Sequence, residues 1–154
     1  MTSPLSREAI FQEALRLARN QPGGTLSTMH AEDGTPYVSF VLFHLRDDGL
    51  VLFGSGVSPQ HTRNMQATPE VSFLIDNREV IRTDWAAFDR VVIEGRARVV
   101  EEDDPRYGPF LEELSTRNRM AAYFTERGHL YCIEPRRLIF MRGFEPARHI
   151  VEFD

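Results

Sequence analysis

Leu50-Val51-Leu52-Phe53-Gly54-Ser55-Gly56-Val57-Ser58-Pro59-Gln60-His61-Thr62-Arg63-Asn64 carries the chain from an apolar run into a short polar segment. The apolar run bounded by glycines reads as a strand, and the polar segment after it reads as the start of a helix. Ser58 suits the N-cap, where its hydroxyl can accept from an orphan amide of the first turn. Pro59 then falls at the first helical position, where the missing N–H costs nothing. Thr68-Pro69 closes the helix, because a residue before proline is pushed out of the α region. Free amides and the positive end of the helix dipole therefore lie beside His61, Thr62 and Arg63, an arrangement that suits an anion, most often a phosphate. A strand, a turn and a Ser-Pro helix start are ordinary by themselves. The polar side chains gathered behind the cap point to a ligand.

Outward from this stretch the chain alternates short strands and turns. Residues 7–20 form an amphipathic helix with Ile10, Phe11, Ala14, Leu15 and Ala18 on one face, capped by Ser6 and closed by Gln21-Pro22-Gly23-Gly24. Strands are expected at 25–29, at 37–43 (apolar on both faces apart from Ser39), at 50–53 and at 71–75. Turns fall at Glu32-Asp33-Gly34 and Arg46-Asp47-Asp48-Gly49. Residues 76–87 are irregular and hold Trp85, which reads as an anchor for that loop. Val91, Ile93, Gly95, Ala97 and Val99 alternate with Glu94, Arg96 and Arg98, the clearest period-two signal of the chain, with Gly95 marking a bend or a close approach. An acidic entry at Glu101–Asp104 leads into a helical region ending at Gly128. Two strands, 129–133 and 138–141, then flank Glu134-Pro135-Arg136-Arg137. The whole is mainly β with flanking helices: a six- to seven-stranded antiparallel barrel, one domain over 1–154.

A net charge of −5, with 42% apolar and 27% charged residues, argues for a globular protein and against a general nucleic-acid binder. No apolar stretch is long enough for a membrane span, and no signal segment is visible, so a cytoplasmic location is expected. The single cysteine, Cys132, lies in a strand-like run and reads as a packed thiol. The histidines His30, His44, His61, His129 and His149 lack metal-ligand spacing, and no metal site is expected. Neither a dinucleotide fingerprint, nor a P-loop, nor a nucleophile elbow occurs. With no catalytic acid or base standing out, the pattern suits a protein whose reactive group is a bound cofactor.

Gly24-Thr25-Leu26-Ser27-Thr28, Asp33-Gly34-x-Pro36-x-x-Ser39, Gly49–Phe53, Ser58-x-x-His61-Thr62-Arg63-Asn64, Pro69-x-Val71-Ser72, Arg90–Gly95 and Gly143-Phe144-x-x-Ala147 together resemble the FMN-binding split-barrel superfamily. The resemblance is to proteins related to pyridoxamine 5′-phosphate oxidase, in the branch that includes haem-utilisation proteins, and it covers residues 7–150.

The resemblance implies a split β-barrel and an FMN-dependent oxidoreductase with a small organic substrate. His61, Thr62, Arg63 and Asn64 would hold the FMN phosphate, Arg63 and His61 as charge partners and the other two as hydrogen-bond donors. Ser39 and Val41 would lie on the segment lining the flavin, Ser55 beside the ribityl chain, and Arg90 near the isoalloxazine ring. Read from the residues alone, Ser39 is also a small residue packed between strands, and Arg90 a surface charge at a strand start. A homodimer with FMN at the subunit interface is implied, with no nucleic-acid or membrane partner. The carboxy-terminal substrate segment of the true oxidases has no counterpart here, so their activity is not expected. Two alternatives stand beside this one: a haem-binding or haem-handling protein on the same fold, with His149 as a weak ligand candidate, and a non-catalytic FMN-binding module.

Overall fold

The computed structural model describes residues 4–154, so Met1, Thr2 and Ser3 of the expected domain lie outside the described residues. The first helix, α1 (Arg7–Arg19), forms because Ser6 accepts from the amide of Ala9 at 3.1 Å and because Ile10, Ala14, Leu15, Leu17 and Ala18 recur on one buried face. Seven strands follow: β1 (Gly23–Met29), β2 (Pro36–Leu45), β3 (Val51–Gly56), β4 (Glu70–Asp76), β5 (Asp89–Val100), β6 (Gly128–Arg142) and β7 (His149–Glu152). They are antiparallel and run in the order β3-β2-β1-β4-β5-β6-β7. β3 also pairs with β6, from Val51↔Ile133 to Gly56↔Gly128, which closes the first six strands of the order into a barrel. β7 is left on the edge, paired with β6.

Inside the barrel the alternate residues of each strand meet: Leu26, Val41, Phe43, Val51, Phe53, Phe73, Ile75, Val91, Ile93, Tyr131 and Phe140 are all buried. The helix α1 packs on the barrel through its apolar stripe and is held by a buried carboxylate. Asp89 accepts from Arg16 at 2.6 Å and from Arg142 at 3.0 Å, tying α1 to β5 and β6. A second core, around Leu52, Phe110, Leu114, Ala121 and Leu130, seats α3 (Tyr107–Arg117) and α4 (Arg119–Glu126) against the outer face of β3 and β6. The close seat of α4 requires Gly54, since a Cβ there would run into Thr125. Cys132 is buried in this core, and burial pushes its thiol up to about 11, which keeps it an inert packed group.

Several local expectations give way to the tertiary structure. The two final strands are one continuous strand, β6, because Pro135 sits at a bulge where a missing N–H is tolerated: Glu94 pairs with Arg137 but Gly95 with Pro135. Gly95 is the close approach anticipated there, since a Cβ would strike the carbonyl of Glu134. The helix α3 starts at Tyr107, after the acidic run, so its first turn carries no acidic residue. The tail, where local sequence marks no strand, folds as β7 against β6. Within one chain the outward residues of β2, Val38 and Phe40, are 63% and 68% exposed. Among the described residues no helix is long and apolar enough to cross a membrane.

Candidate functional site

The helix α2 (Gln60–Ala67) follows β3 through the turn 57–59 and leads into β4. Its N-cap is Pro59 rather than Ser58, with no side-chain cap bond. Pro59 keeps an extended ψ of 151° and lends its carbonyl to the amides of Thr62 and Arg63, which places the first helical residue one position later than the serine-cap reading. Ser58 stays exposed, with its carbonyl accepting from Arg63 Nη1 at 2.8 Å. Thr68 ends the helix in an extended conformation ahead of Pro69, as expected.

Two of the four residues of the His61–Asn64 run face inward. Thr62 and Asn64 are fully buried and Ser55 almost so. Thr62 Oγ1 bonds to Ser55 Oγ and donates to the carbonyl of Gly56 at 2.7 Å. Asn64 donates to Thr28 Oγ1 at 3.0 Å and accepts from the Ala31 amide at 2.9 Å and from Gln60 Nε2 at 2.8 Å. These bonds fasten α2 to β1 and β3, and every buried polar group among them has a partner. Ser55, Thr62 and Asn64 therefore hold the helix in place.

Arg63 faces outward, 48% exposed at its side chain, while His61, two positions earlier and so on another side of the helix, is half-buried. Burial lowers the His61 pKa below the ordinary histidine value, so its ring is neutral at neutral pH and offers a hydrogen bond rather than the charge expected of it. Arg63 donates to Gln60 Oε1 and lies 3.8 Å from Glu32 Oε1. Glu32, on the turn between β1 and β2, also accepts from Gln60 Nε2 at 3.0 Å and lies 3.4 Å from His30 Nδ1. Its own backbone N–H, with His30, Gln60 and Arg63, holds its carboxyl below the usual range. Gln60 and Glu32 carry no local signal of this role: they stand 28 residues apart, and no spacing rule joins a turn to a helix start across the barrel end.

The remaining expected residues lie elsewhere. Val41 is buried in the barrel core. Ser39 shares its face and pairs with Leu26; its Oγ is buried with no hydrogen-bond partner among the described residues. A buried hydroxyl without a partner costs free energy that a water or ligand group would recover. Arg90 pairs with Asp76 at the far end of β4 from α2, six residue steps from Glu70, or about 20 Å of strand. Its guanidinium lies 5.0 Å from the Phe88 ring and donates to the Gly143 carbonyl at 3.3 Å, while Nε has no partner among the described residues. Trp85 is half exposed and stacks on Phe144 at 5.1 Å, so it pins the 76–88 loop to the β6–β7 turn, much as an anchor does. Arg63 and Arg90 are thus not brought together within one chain. No group of three or more potential metal ligands occurs among the described residues.

Residues 10–139 match the family model described as pyridoxamine 5′-phosphate oxidase. No curated protein matches the sequence. Among solved structures, a heme binding protein from Mycobacterium smegmatis superposes with a TM-score of 0.80 at 21% identity, over 96% of this chain and 60% of that one. The chain therefore spans under two thirds of that relative's length. The heme storage protein HutZ from Vibrio cholerae gives 0.65 at 19% identity over 92% of both chains. The General Stress Protein 26 from Bacillus anthracis gives 0.65 at 15% identity, over 94% of this chain and 98% of that one. At these identities the likeness is one of fold.

Proposed function

The chain belongs to the pyridoxamine 5′-phosphate oxidase family, and from that premise we propose that it is an FMN-binding flavoprotein, an oxidoreductase for a small organic substrate. The observation that carries this reading is the start of α2, where exposed Arg63 and half-buried, neutral His61 fall within the first four residues of the helix, at the positive end of its dipole. Arg63 suits a phosphate because its planar fork grips two oxygens, and the helix end favours negative charge without a counter-ion. His61 adds a hydrogen bond, and the exposed Ser58 hydroxyl is within the same turn. Ser55, Thr62 and Asn64 act behind them by fixing the helix. Bound FMN would supply the redox chemistry, with the protein supplying anchorage, orientation and ring electrostatics.

In this reading the working unit is a homodimer with FMN at the subunit interface. Val38 and Phe40, exposed side by side on the outer face of β2, support it, because adjacent large apolar side chains gain free energy when a partner covers them. Arg90, at the far end of β4, would then serve the flavin anchored by the other copy.

The test is a visible absorbance spectrum of the purified protein, with mass spectrometry of whatever heat releases. A flavin spectrum and released FMN are expected, and Arg63→Ala should weaken FMN binding about ten- to a hundredfold, the cost of one charge-assisted contact. Bound FMN that neither NADH nor NADPH reduces would reassign the protein as a non-catalytic flavin carrier. Heme binding and heme storage in two structural neighbours favour a second reading, a haem-handling protein. An intense haem band, lost in His149→Ala and kept in Arg63→Ala, would establish that one instead.

A further inference from the structure

Among the described residues Glu32 is the one carboxylate that meets the outward side chains of α2, and it meets two of them: Gln60 Nε2 at 3.0 Å and Arg63 at 3.8 Å. Its side chain is 60% exposed and sits on a hairpin turn, so it is free to swing away at little cost. Gln60 links the pieces, donating to Glu32 and to buried Asn64 while its carbonyl accepts from Arg63. We propose that Glu32 is the built-in counter-charge of this anion cradle: it engages Gln60 and Arg63 when no anion is present and yields them to an incoming phosphate monoester. The assignment rests on the phosphate reading of Arg63.

The consequence is a site whose charge is nearly balanced before ligand arrives. Arg63 and Glu32 offset one another, and His61 adds no charge, which leaves the helix end as the net attraction. A dianionic monoester must displace Glu32 and remain near it, whereas a ligand lacking phosphate has no such conflict. Glu32 thus holds affinity for phosphorylated ligands below what Arg63 alone would give. It is a specificity-setting residue, and it acts through charge.

The test compares FMN with riboflavin, which lacks the phosphate, by flavin fluorescence quenching in the wild type, Glu32→Gln, Arg63→Gln and the double variant. Glu32→Gln should bind FMN about three- to fivefold tighter, the scale of an exposed ion pair. Riboflavin affinity should be unchanged, and the gain should vanish in the Arg63→Gln background. Glu32→Ala, at the same exposed turn, should repeat the gain. FMN binding that is equal or weaker in both Glu32 variants overturns the assignment while leaving the phosphate cradle standing, and so does an equal gain for riboflavin. A wild-type protein that takes up no FMN overturns the cradle and the assignment together.

Discussion

Asn64 is the residue of its run most firmly committed to the scaffold. It is fully buried and makes three hydrogen bonds, to Thr28, Ala31 and Gln60, that bridge β1 and α2. Asn64→Ala should therefore destabilise the ligand-free protein by about 2–3 kcal/mol, because it strands a buried hydroxyl and a backbone amide. Urea denaturation in the absence of flavin checks this. An unchanged midpoint would mean that Asn64 is reserved for a ligand after all. Arg63 behaves oppositely, since among the described residues its exposed guanidinium bonds or pairs only with Ser58, Gln60 and Glu32 along the helix entrance. Its replacement should leave stability nearly intact. On the phosphate reading proposed above, ligand contact and scaffolding are divided between neighbouring residues of one run.

At the scale of the element, α2 carries a pH dependence. His61 is desolvated against the barrel end, and burial also lowers His44 on β2, although the nearby Glu113 works against that shift. A histidine whose folded pKa lies below its unfolded value contributes full stability above the unfolded value, about 6.5. As pH falls below that value the unfolded chain binds the proton more readily, and stability is lost until the depressed folded pKa is passed. The melting temperature of the ligand-free protein should therefore fall between about pH 7 and about pH 5, and His61→Gln should flatten part of that slope. A slope identical in the variant would assign the effect to other groups. The helix placement itself turned on backbone geometry: a Ser-Pro pair permits either residue at the cap, and the extended ψ of Pro59 decides for the proline.

For the whole molecule, the closed barrel buries one face of each strand and leaves the other to whatever packs outside. The helices α3 and α4 cover the outer face at β3 and β6, while on β2 Val38 and Phe40 remain open. If these residues form the subunit interface, sedimentation should give a dimer at micromolar concentration, and Phe40→Glu should shift it to monomer, since a buried unpaired carboxylate is strongly disfavoured. A wild-type monomer under those conditions would remove the interface from this face.

Local sequence sufficed for whatever depends on near neighbours. The period-two runs, the turns at Gly34 and Gly49, the Ser6 cap and the Thr68-Pro69 stop all appear where the residues place them, because alternation, left-handed glycine and proline sterics act within a few positions. The alternating apolar residues and short turns were likewise enough to read a barrel of six or seven strands. Legible too was the run His61–Asn64 as a candidate, but not the roles within it. Which side chains turn inward depends on the angle at which α2 lies across the barrel end, and that is set by Thr28, Ser55 and Gly56 on other strands. The continuity of β6 through Pro135 required β5 to accommodate a bulge, and the meeting of Glu32 with Arg63 required the barrel to close. Such contacts depend on residues far apart in the chain, so only the folded structure could bring them into view.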